Sequence, residues 1–135
     1  MPKNFPLESK GFHPFGELIG LTFTGYERGY SKCVLEVNEK LLNPHKVLHG
    51  GVIYTMADTG MGGALYPYLE EDELCGTIEI KIIYFASVKS GSLTCETKVI
   101  HKSKRIAALE SEIKHDDRLI AKAIGTFSVF KSHEN

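Results

Sequence analysis

The chain has 135 residues and a formal net charge of -1 at pH 7, which is the size of a single domain with one hydrophobic core. Hydrophobic residues make up 42% of the chain and charged residues 24%, so intrinsic disorder is excluded. The charge balance lacks the basic excess that is typical of nucleic-acid-binding domains. We therefore predict one globular domain over residues 1–135, with residues 1–14 as a lead-in.

The cysteines indicate the redox environment. Cys33, Cys75 and Cys95 are odd in number and widely spaced, which disfavours both a disulfide framework and a zinc cluster. Free thiols are typical of the reducing cytoplasm. Residues 1–15 contain no apolar run behind Lys3, so a secretory signal is not expected. We predict a cytoplasmic protein.

The first part of the chain predicts two strands and a loop. Residues 17–25 and 30–38 are the predicted strands, and Gly29 lies between them as a turn residue. Within the second strand, Cys33, Leu35 and Val37 alternate with more polar neighbours. Residues 41–49 are predicted to form a loop, because Asn43-Pro44 is a turn signal.

A long apolar segment follows the loop. From Gly50 to Leu69 the only charged residue is Asp58, and this length matches a bilayer span. However, its glycines, its tyrosines and Pro67 favour a buried core helix, so no membrane contact is expected. We predict a helix from about residue 51 to residue 66 that ends before Pro67.

The remaining sequence alternates as strands do. Ile78, Ile80 and Ile82 alternate with Glu79, Lys81 and Ile83, and similar alternation covers 93–100 and 107–114. Residues 119–130 are predicted to form the last strand. Short polar turns join the last three strands, which is typical of an antiparallel meander with one face in water. The long helix must cover the other face. The predicted architecture is α+β, with a sheet curled around a single helix.

Gly50 and Gly51 begin the predicted helix. The first N–H groups of a helix have no partner inside it and carry partial positive charge. Glycine lets a ligand approach this backbone, so the helix start could stabilise a carbonyl oxygen that becomes an oxyanion. Alternatively, the two glycines only permit a tight turn.

Asp58 is a carboxylate in an apolar helix, where an unpaired charge is costly. It is therefore functional, or it faces a water-filled edge or pairs with a distant lysine. Asp58 lies about 10 Å along the axis from Gly51, too far to act easily at its own helix start. It could act at the helix start of a second chain, which would place a site between two subunits.

Other polar residues have two readings each. Asn43 and His49 flank the loop as possible hydrogen-bonding groups, although His49 could simply orient the loop. His45 and His49 have metal-ligand spacing, but no third ligand is placed. Lys102, Lys104 and Arg105 form either a solvated turn or a binding site for the phosphates of a nucleotide-like ligand.

Residues 43–65, NPHKVLHGGVIYTMADTGMGGAL, resemble the signature of the PaaI-type hotdog thioesterases: an Asn, then His-Gly-Gly, then an Asp within the helix. Residues 77–91 and 119–130 resemble the family's next strand and its final strand. The resemblance covers about residues 15–130. It implies a hotdog fold and a homodimer whose two sheets join, often paired into a homotetramer. It also implies acyl-CoA as substrate and hydrolysis of its thioester without a metal or an organic cofactor.

The resemblance also implies roles for individual residues. Asp58 matches the catalytic carboxylate, as general base or nucleophile, and Gly50 matches the glycine whose N–H polarises the thioester carbonyl. Asn43 and His49 match polar residues of the opposing subunit's loop, and Thr77 matches a Ser or Thr that helps to position the water or the carboxylate. The motif does not fix the acyl group. The alternatives are an acyl-CoA sensor or carrier without activity, and a dehydratase or hydratase, which usually pairs a His with an acid in a different motif.

Overall fold

A computed structural model describes residues 11–132. A six-stranded antiparallel sheet and one long helix form the fold. The elements in chain order are helix α1 (Pro14–Ile19), strands β1 (Leu21–Glu27) and β2 (Tyr30–Glu36), helix α2 (Gly50–Leu65), and strands β3 (Glu73–Tyr84), β4 (Ser92–Lys102), β5 (Ile106–His115) and β6 (Arg118–Lys131). The strand order is β1-β2-β4-β5-β6-β3, with every neighbouring pair antiparallel. The predicted α+β architecture is confirmed, and the sheet is open.

Helix α2 packs against one face of the sheet and supplies much of the core. It begins and ends one residue before the predicted limits, and a short 3-10 turn, Tyr66–Tyr68, follows it. Ile53, Met56, Met61 and Leu65 are buried along it, as expected for a helix that is apolar on most sides. Within residues 11–132, no helix is long and apolar enough to cross a membrane.

Strands β4, β5 and β6 form the predicted meander. Leu93 and Cys95 of β4 and Leu109 and Ile113 of β5 are fully buried beneath α2. The opposite face carries charged side chains, among them Lys122, whose Nζ lies 3.5 Å from Glu110 and 3.3 Å from Glu112. This alternation confirms that one face of the meander packs on the helix while the other meets water.

Strand β3 departs from strict alternation. It pairs with β6 at an edge of the sheet, and residues 85–91 carry the chain across to β4. A β-bulge between Thr77 and Glu79 leaves Ile78 56% exposed, while Ile80 and Ile82 pack against the core. The prediction that Ile78 shares a face with Ile80 was therefore wrong, because a bulge inserts one residue into the pairing.

The predicted strand over residues 17–25 is also partly wrong. Residues up to Ile19 belong to α1, and β1 starts at Leu21. Three local features explain the short helix: Pro14 occupies its first position, His13 caps it, and Gly20 ends it with a φ of 80°. Residues 1–10 of the predicted lead-in lie outside the described part of the chain.

Candidate active site

The first turn of α2 is held by side chains on two sides. His49 is its N-cap residue, and its Nδ1 accepts a 2.8 Å hydrogen bond from the Gly51 N–H. The proton of the neutral ring therefore lies on Nε2, and the side chain is exposed. Within residues 11–132, the Gly50 N–H has no hydrogen-bond partner. The helix start thus presents one unpaired backbone donor, as the sequence predicted.

Tyr84 closes the other side of this turn. Its hydroxyl donates a 2.8 Å hydrogen bond to the Gly50 carbonyl oxygen, and its ring lies so close that a Cβ on residue 50 would be 3.3 Å from it. Partial burial, followed by the nearby Tyr54, raises the pKa of Tyr84, so the phenol keeps its proton. Sequence reasoning missed Tyr84, because nothing local to the chain places it beside residue 50.

Asn43 shapes the loop that leads to the helix. Its Oδ1 accepts hydrogen bonds from the His45 N–H at 2.9 Å and the Val47 N–H at 3.3 Å. Lys46, between them, adopts a left-handed φ of 66°. The side-chain oxygen of Asn43 is therefore engaged in the loop, which leaves its amide nitrogen to contact a ligand.

Asp58 lies in the middle of α2 and is half-buried. The Thr77 hydroxyl on β3 donates a 2.7 Å hydrogen bond to its Oδ1. In the part of the chain that the structure describes, Asp58 forms no ion pair. The structure therefore brings two predicted site residues together, and the second carboxylate oxygen stays available for a ligand.

The Asp58 carboxylate opens into a cleft of about 280 Å³ between α2 and β3. We call this the α2–β3 cleft. One wall is a single stripe of the helix and the other is the first half of the strand, while the segment before α1 and a side chain of β6 complete it. The lining residues are Phe12, His13, Asp58, Thr59, Gly62, Gly63, Tyr66, Cys75, Gly76, Thr77 and Phe127.

Buried polar side chains hold the helical turn of Asp58 from behind. Ser31 donates to the Gly60 carbonyl at 2.6 Å, and Ser111 donates to the Ala57 carbonyl at 3.1 Å. Thr97 and Ser111 share a 2.7 Å hydrogen bond, and all three hydroxyl residues are fully buried. These donors lie on β2, β4 and β5, so the sheet fixes the height and rotation of α2. We name this group the hydroxyl anchor: Ser31, Thr97 and Ser111.

Two buried thiols also contact the backbone of α2 from the sheet. Cys33 and Cys95 face each other across β2 and β4, and both approach the Met56 carbonyl, at 3.9 and 3.5 Å. A hydrogen bond with Cys95, together with burial, raises the pKa of Cys33 well above its usual range. Cys33 is therefore a protonated core residue without access to a substrate. Sequence reasoning did not predict this contact, although small polar residues at inward strand positions could have indicated it.

The basic residues form a separate feature. Lys102 Nζ donates to the Ser103 carbonyl at 2.6 Å. Lys104 and Arg105, on the turn between β4 and β5, line a small cleft with Glu73 and Lys131. Within one chain they do not share the α2–β3 cleft, and their contact with phosphate groups remains a prediction.

Gly50 and Asp58 are separated by about 12 Å along α2. One thioester carbonyl therefore cannot contact both groups of the same chain. The geometry leaves an unpaired donor at the helix start and a carboxylate two turns away. Chemically, the donor could polarise a carbonyl and the carboxylate could accept a proton or attack carbon.

This open sheet around one long helix is a hotdog fold. The model of the thioesterase superfamily matches residues 45–122, more than half of the chain, and the chain belongs to that superfamily. The matched range contains His49, Gly50, Asp58 and Thr77.

Known proteins similar to the chain agree with this class. A Saccharolobus solfataricus protein, provisionally named an esterase, is 34% identical over 84% of this chain and 75% of its own length. The 1,4-dihydroxy-2-naphthoyl-CoA hydrolase of Listeria monocytogenes is 29% identical over 87% of this chain and 97% of its own. In fold, the chain resembles the phenylacetic acid degradation protein PaaI of Thermus thermophilus, with a TM-score of 0.81, 24% identity, and coverage of 86% of this chain and 98% of that one.

Proposed function

We propose that this protein hydrolyses acyl-CoA thioesters to the free acid and CoA. The observation that carries the proposal is the environment of the Asp58 carboxylate. Its carboxylate is half-buried, its Oδ1 is oriented by Thr77 at 2.7 Å, and it lines a cleft. A carboxylate that lines a cleft, is held by a hydroxyl and forms no ion pair within residues 11–132 is a candidate functional group.

In the proposed mechanism the thioester carbonyl lies at the first turn of α2 in one subunit. The Gly50 N–H donates a hydrogen bond to the carbonyl oxygen and stabilises the negative charge that develops there. His49 and Asn43 of the same loop contact the substrate around this point. The His49 ring is suited to this role because its capping bond fixes Nε2–H as a donor.

Asp58 of the other subunit acts on the carbonyl carbon. As a general base it takes a proton from water while the water oxygen bonds to carbon, and the C–S bond then breaks to release the CoA thiolate. As a nucleophile it forms an acyl anhydride, which water hydrolyses afterwards. In either route a thiolate leaves readily, so no strong acid is needed at the sulfur.

Two observations support the proposed dimer: the separation of Gly50 and Asp58, and the free edge of the sheet. Strand β3 pairs only with β6 among the described strands, so its other edge offers unpaired backbone groups. Ile78, Ile83 and Phe85 near this edge are 56%, 48% and 55% exposed, which favours burial by a second copy. The homotetramer implied by the family resemblance remains a prediction that a mass measurement in solution decides.

In the dimer we propose that Lys102, Lys104 and Arg105 contact the phosphates of CoA. All three cations lie on or beside one turn, and cationic side chains are the usual partners of phosphate. This assignment is independent of the role of Asp58. Replacing Lys104 and Arg105 together should raise KM for CoA thioesters without lowering kcat.

The test of the proposed function is Asp58→Asn, which keeps the shape of the side chain and removes its charge. Turnover of phenylacetyl-, benzoyl-, short-chain and long-chain acyl-CoA should fall about a hundredfold, as is typical for a lost acid or base group. The matched control is Asp117→Asn on the exposed β5–β6 turn, which should keep full activity. Circular dichroism should show that both variants fold.

Two results would reject the proposal. Unchanged turnover in Asp58→Asn would remove the carboxylate from the chemistry. Tight binding of acyl-CoA by the wild-type protein, with no hydrolysis of any thioester, would show instead that the protein is an acyl-CoA sensor or carrier.

A further inference from the structure

Gly62 is unusual among the glycines of α2. Glycine inside a helix is destabilising relative to alanine, so its presence requires a reason. Gly60 and Gly63 have one, because a Cβ would lie 2.6 Å from the Thr97 hydroxyl in the first case and 2.5 Å from the Phe23 ring in the second. Among residues 11–132, a Cβ at Gly62 would meet nothing within 4 Å. Packing in the described part of the chain therefore does not explain this glycine.

The space beside Gly62 belongs to the α2–β3 cleft. Gly62 lies one helical turn after Asp58 and one turn before Tyr66, so all three share a stripe of the helix. This stripe is about 12 Å long from Asp58 to Tyr66. Any side chain at position 62 would project into the cleft between the carboxylate and its far end.

Aromatic rings close the far end. Phe12 packs edge-to-face on Tyr66, with ring centroids 5.9 Å apart and an interplanar angle of 86°. Phe127 of β6, which is only 3% exposed, pairs with Thr77 and lines the cleft nearer its carboxylate end. The cleft therefore begins at a carboxylate, passes a glycine and ends at an apolar wall. If a substrate carbonyl lies at Asp58, an apolar group attached to that carbonyl would extend past Gly62 toward the aromatic rings.

Resting on the proposed function, we propose that the α2–β3 cleft holds the acyl group, that Gly62 sets its width and that the Phe12–Tyr66 pair sets its length. The preferred substrate then carries a compact acyl group of ring or medium-chain size. A palmitoyl chain is longer than the distance to the aromatic wall and is excluded. Gly62 and Phe12 are specificity-determining residues and take no part in the proton transfer.

The experiment compares kcat/KM for acetyl-, hexanoyl-, phenylacetyl- and palmitoyl-CoA in three variants. Gly62→Ala should keep or raise the melting temperature, because the added methyl group meets open space. It should lower the ratio of phenylacetyl-CoA to acetyl-CoA activity at least tenfold. The matched control, Gly60→Ala in the same helix, should lower the melting temperature and leave that ratio unchanged. Phe12→Ala should raise the ratio of palmitoyl-CoA to hexanoyl-CoA activity at least tenfold.

Three outcomes would overturn the inference while the proposed function survives. Gly62→Ala could lower activity equally on every acyl group, or it could dissociate the dimer on a sizing column, which would mean that Gly62 packs against the second subunit. An unchanged chain-length preference in Phe12→Ala would remove the aromatic wall as a length limit.

Absence of turnover in the wild-type protein would reject the proposed function, and the cleft would then be tested by binding. The probe is a non-hydrolysable thioether analogue of phenylacetyl-CoA, measured by titration calorimetry. At least tenfold weaker binding to Gly62→Ala than to the wild-type protein supports the inference, and equal affinity overturns it.

Discussion

Thr77 and Asp58 are joined by a 2.7 Å hydrogen bond across 19 residues of sequence. The bulge at Ile78 makes this contact possible. Thr77 pairs with Phe127 and Ile80 pairs with Gly125, so Thr77 and Ile80 both face the helix although they are three positions apart. In a strand without the bulge, Thr77 would face away from Asp58. The orientation of the carboxylate therefore depends on one irregular residue pair.

Thr77→Val tests this hydrogen bond with little change in shape. A hydrogen bond to a charged group contributes roughly 1.5–3 kcal/mol, so kcat should fall roughly ten- to a hundredfold, with KM nearly constant. The same hydrogen bond also stabilises the fold, so the melting temperature should fall by a few degrees while the variant stays folded. Thr77→Ser keeps the hydroxyl and should retain most of the activity. If kcat fell equally in Thr77→Ser and Thr77→Val, the loss would be due to altered packing and not to the missing hydroxyl group.

His49 is expected to combine two roles that substitution can separate. His49→Ala removes the cap of α2 and should lower the free energy of unfolding by about 1 kcal/mol. His49→Asn should restore that stability, because Asn is a good N-cap residue, but it should not restore kcat/KM. The measurements are urea denaturation and thioester turnover on the same samples. Full activity in His49→Asn would show that the histidine is only a cap.

Tyr30 should make stability depend on pH in the alkaline range. Its hydroxyl donates a 2.7 Å hydrogen bond to Glu96. Burial, followed by that bond and by the charges of Glu96 and Glu27, raises the pKa of Tyr30 from 10.0 to about 12. An unfolded tyrosine loses its proton first, so between these two pH values the unfolded state binds fewer protons and stability falls as pH rises. The contribution is complete below about pH 10 and is lost toward pH 12.

The check is the difference in urea midpoint between the wild-type protein and Tyr30→Phe across this range. Other groups also titrate there, but they affect both proteins alike. The wild-type protein should lose more stability than Tyr30→Phe as pH rises. Parallel curves would contradict the assigned pKa.

The helices and strands that were predicted well from the sequence are those whose limits and faces depend on neighbouring residues in the chain. The limits of α2 were correct to one residue, because an apolar helix that meets Pro67 must end there. The inward positions of β4 and β5 followed from alternation alone. By contrast, the position of β3 beside β6 depends on contacts between distant segments, and no local pattern reports a bulge at Ile78. The helix at Pro14–Ile19 was missed because its apolar residues also suit a strand.

The candidate site divides in the same way. Its motif residues were named because the resemblance places them along the chain, and the structure joins two of them, Thr77 and Asp58, by a hydrogen bond. Tyr84 and the cleft-lining Phe12 were not predicted, since each meets α2 only after folding. Gly62 was visible as one of many helical glycines. Only the space around it distinguishes it from Gly60.

The hydroxyl anchor divides α2 into a fixed side and an adaptable side. Ser31 and Ser111, on the sheet, donate hydrogen bonds to helix carbonyls close to Asp58. Gly62 and Tyr66 line the cleft on another side of the helix. Under the proposed roles, substitutions in the cleft change which molecule is accepted without moving the carboxylate. This separation makes the cleft the natural place to engineer new selectivity.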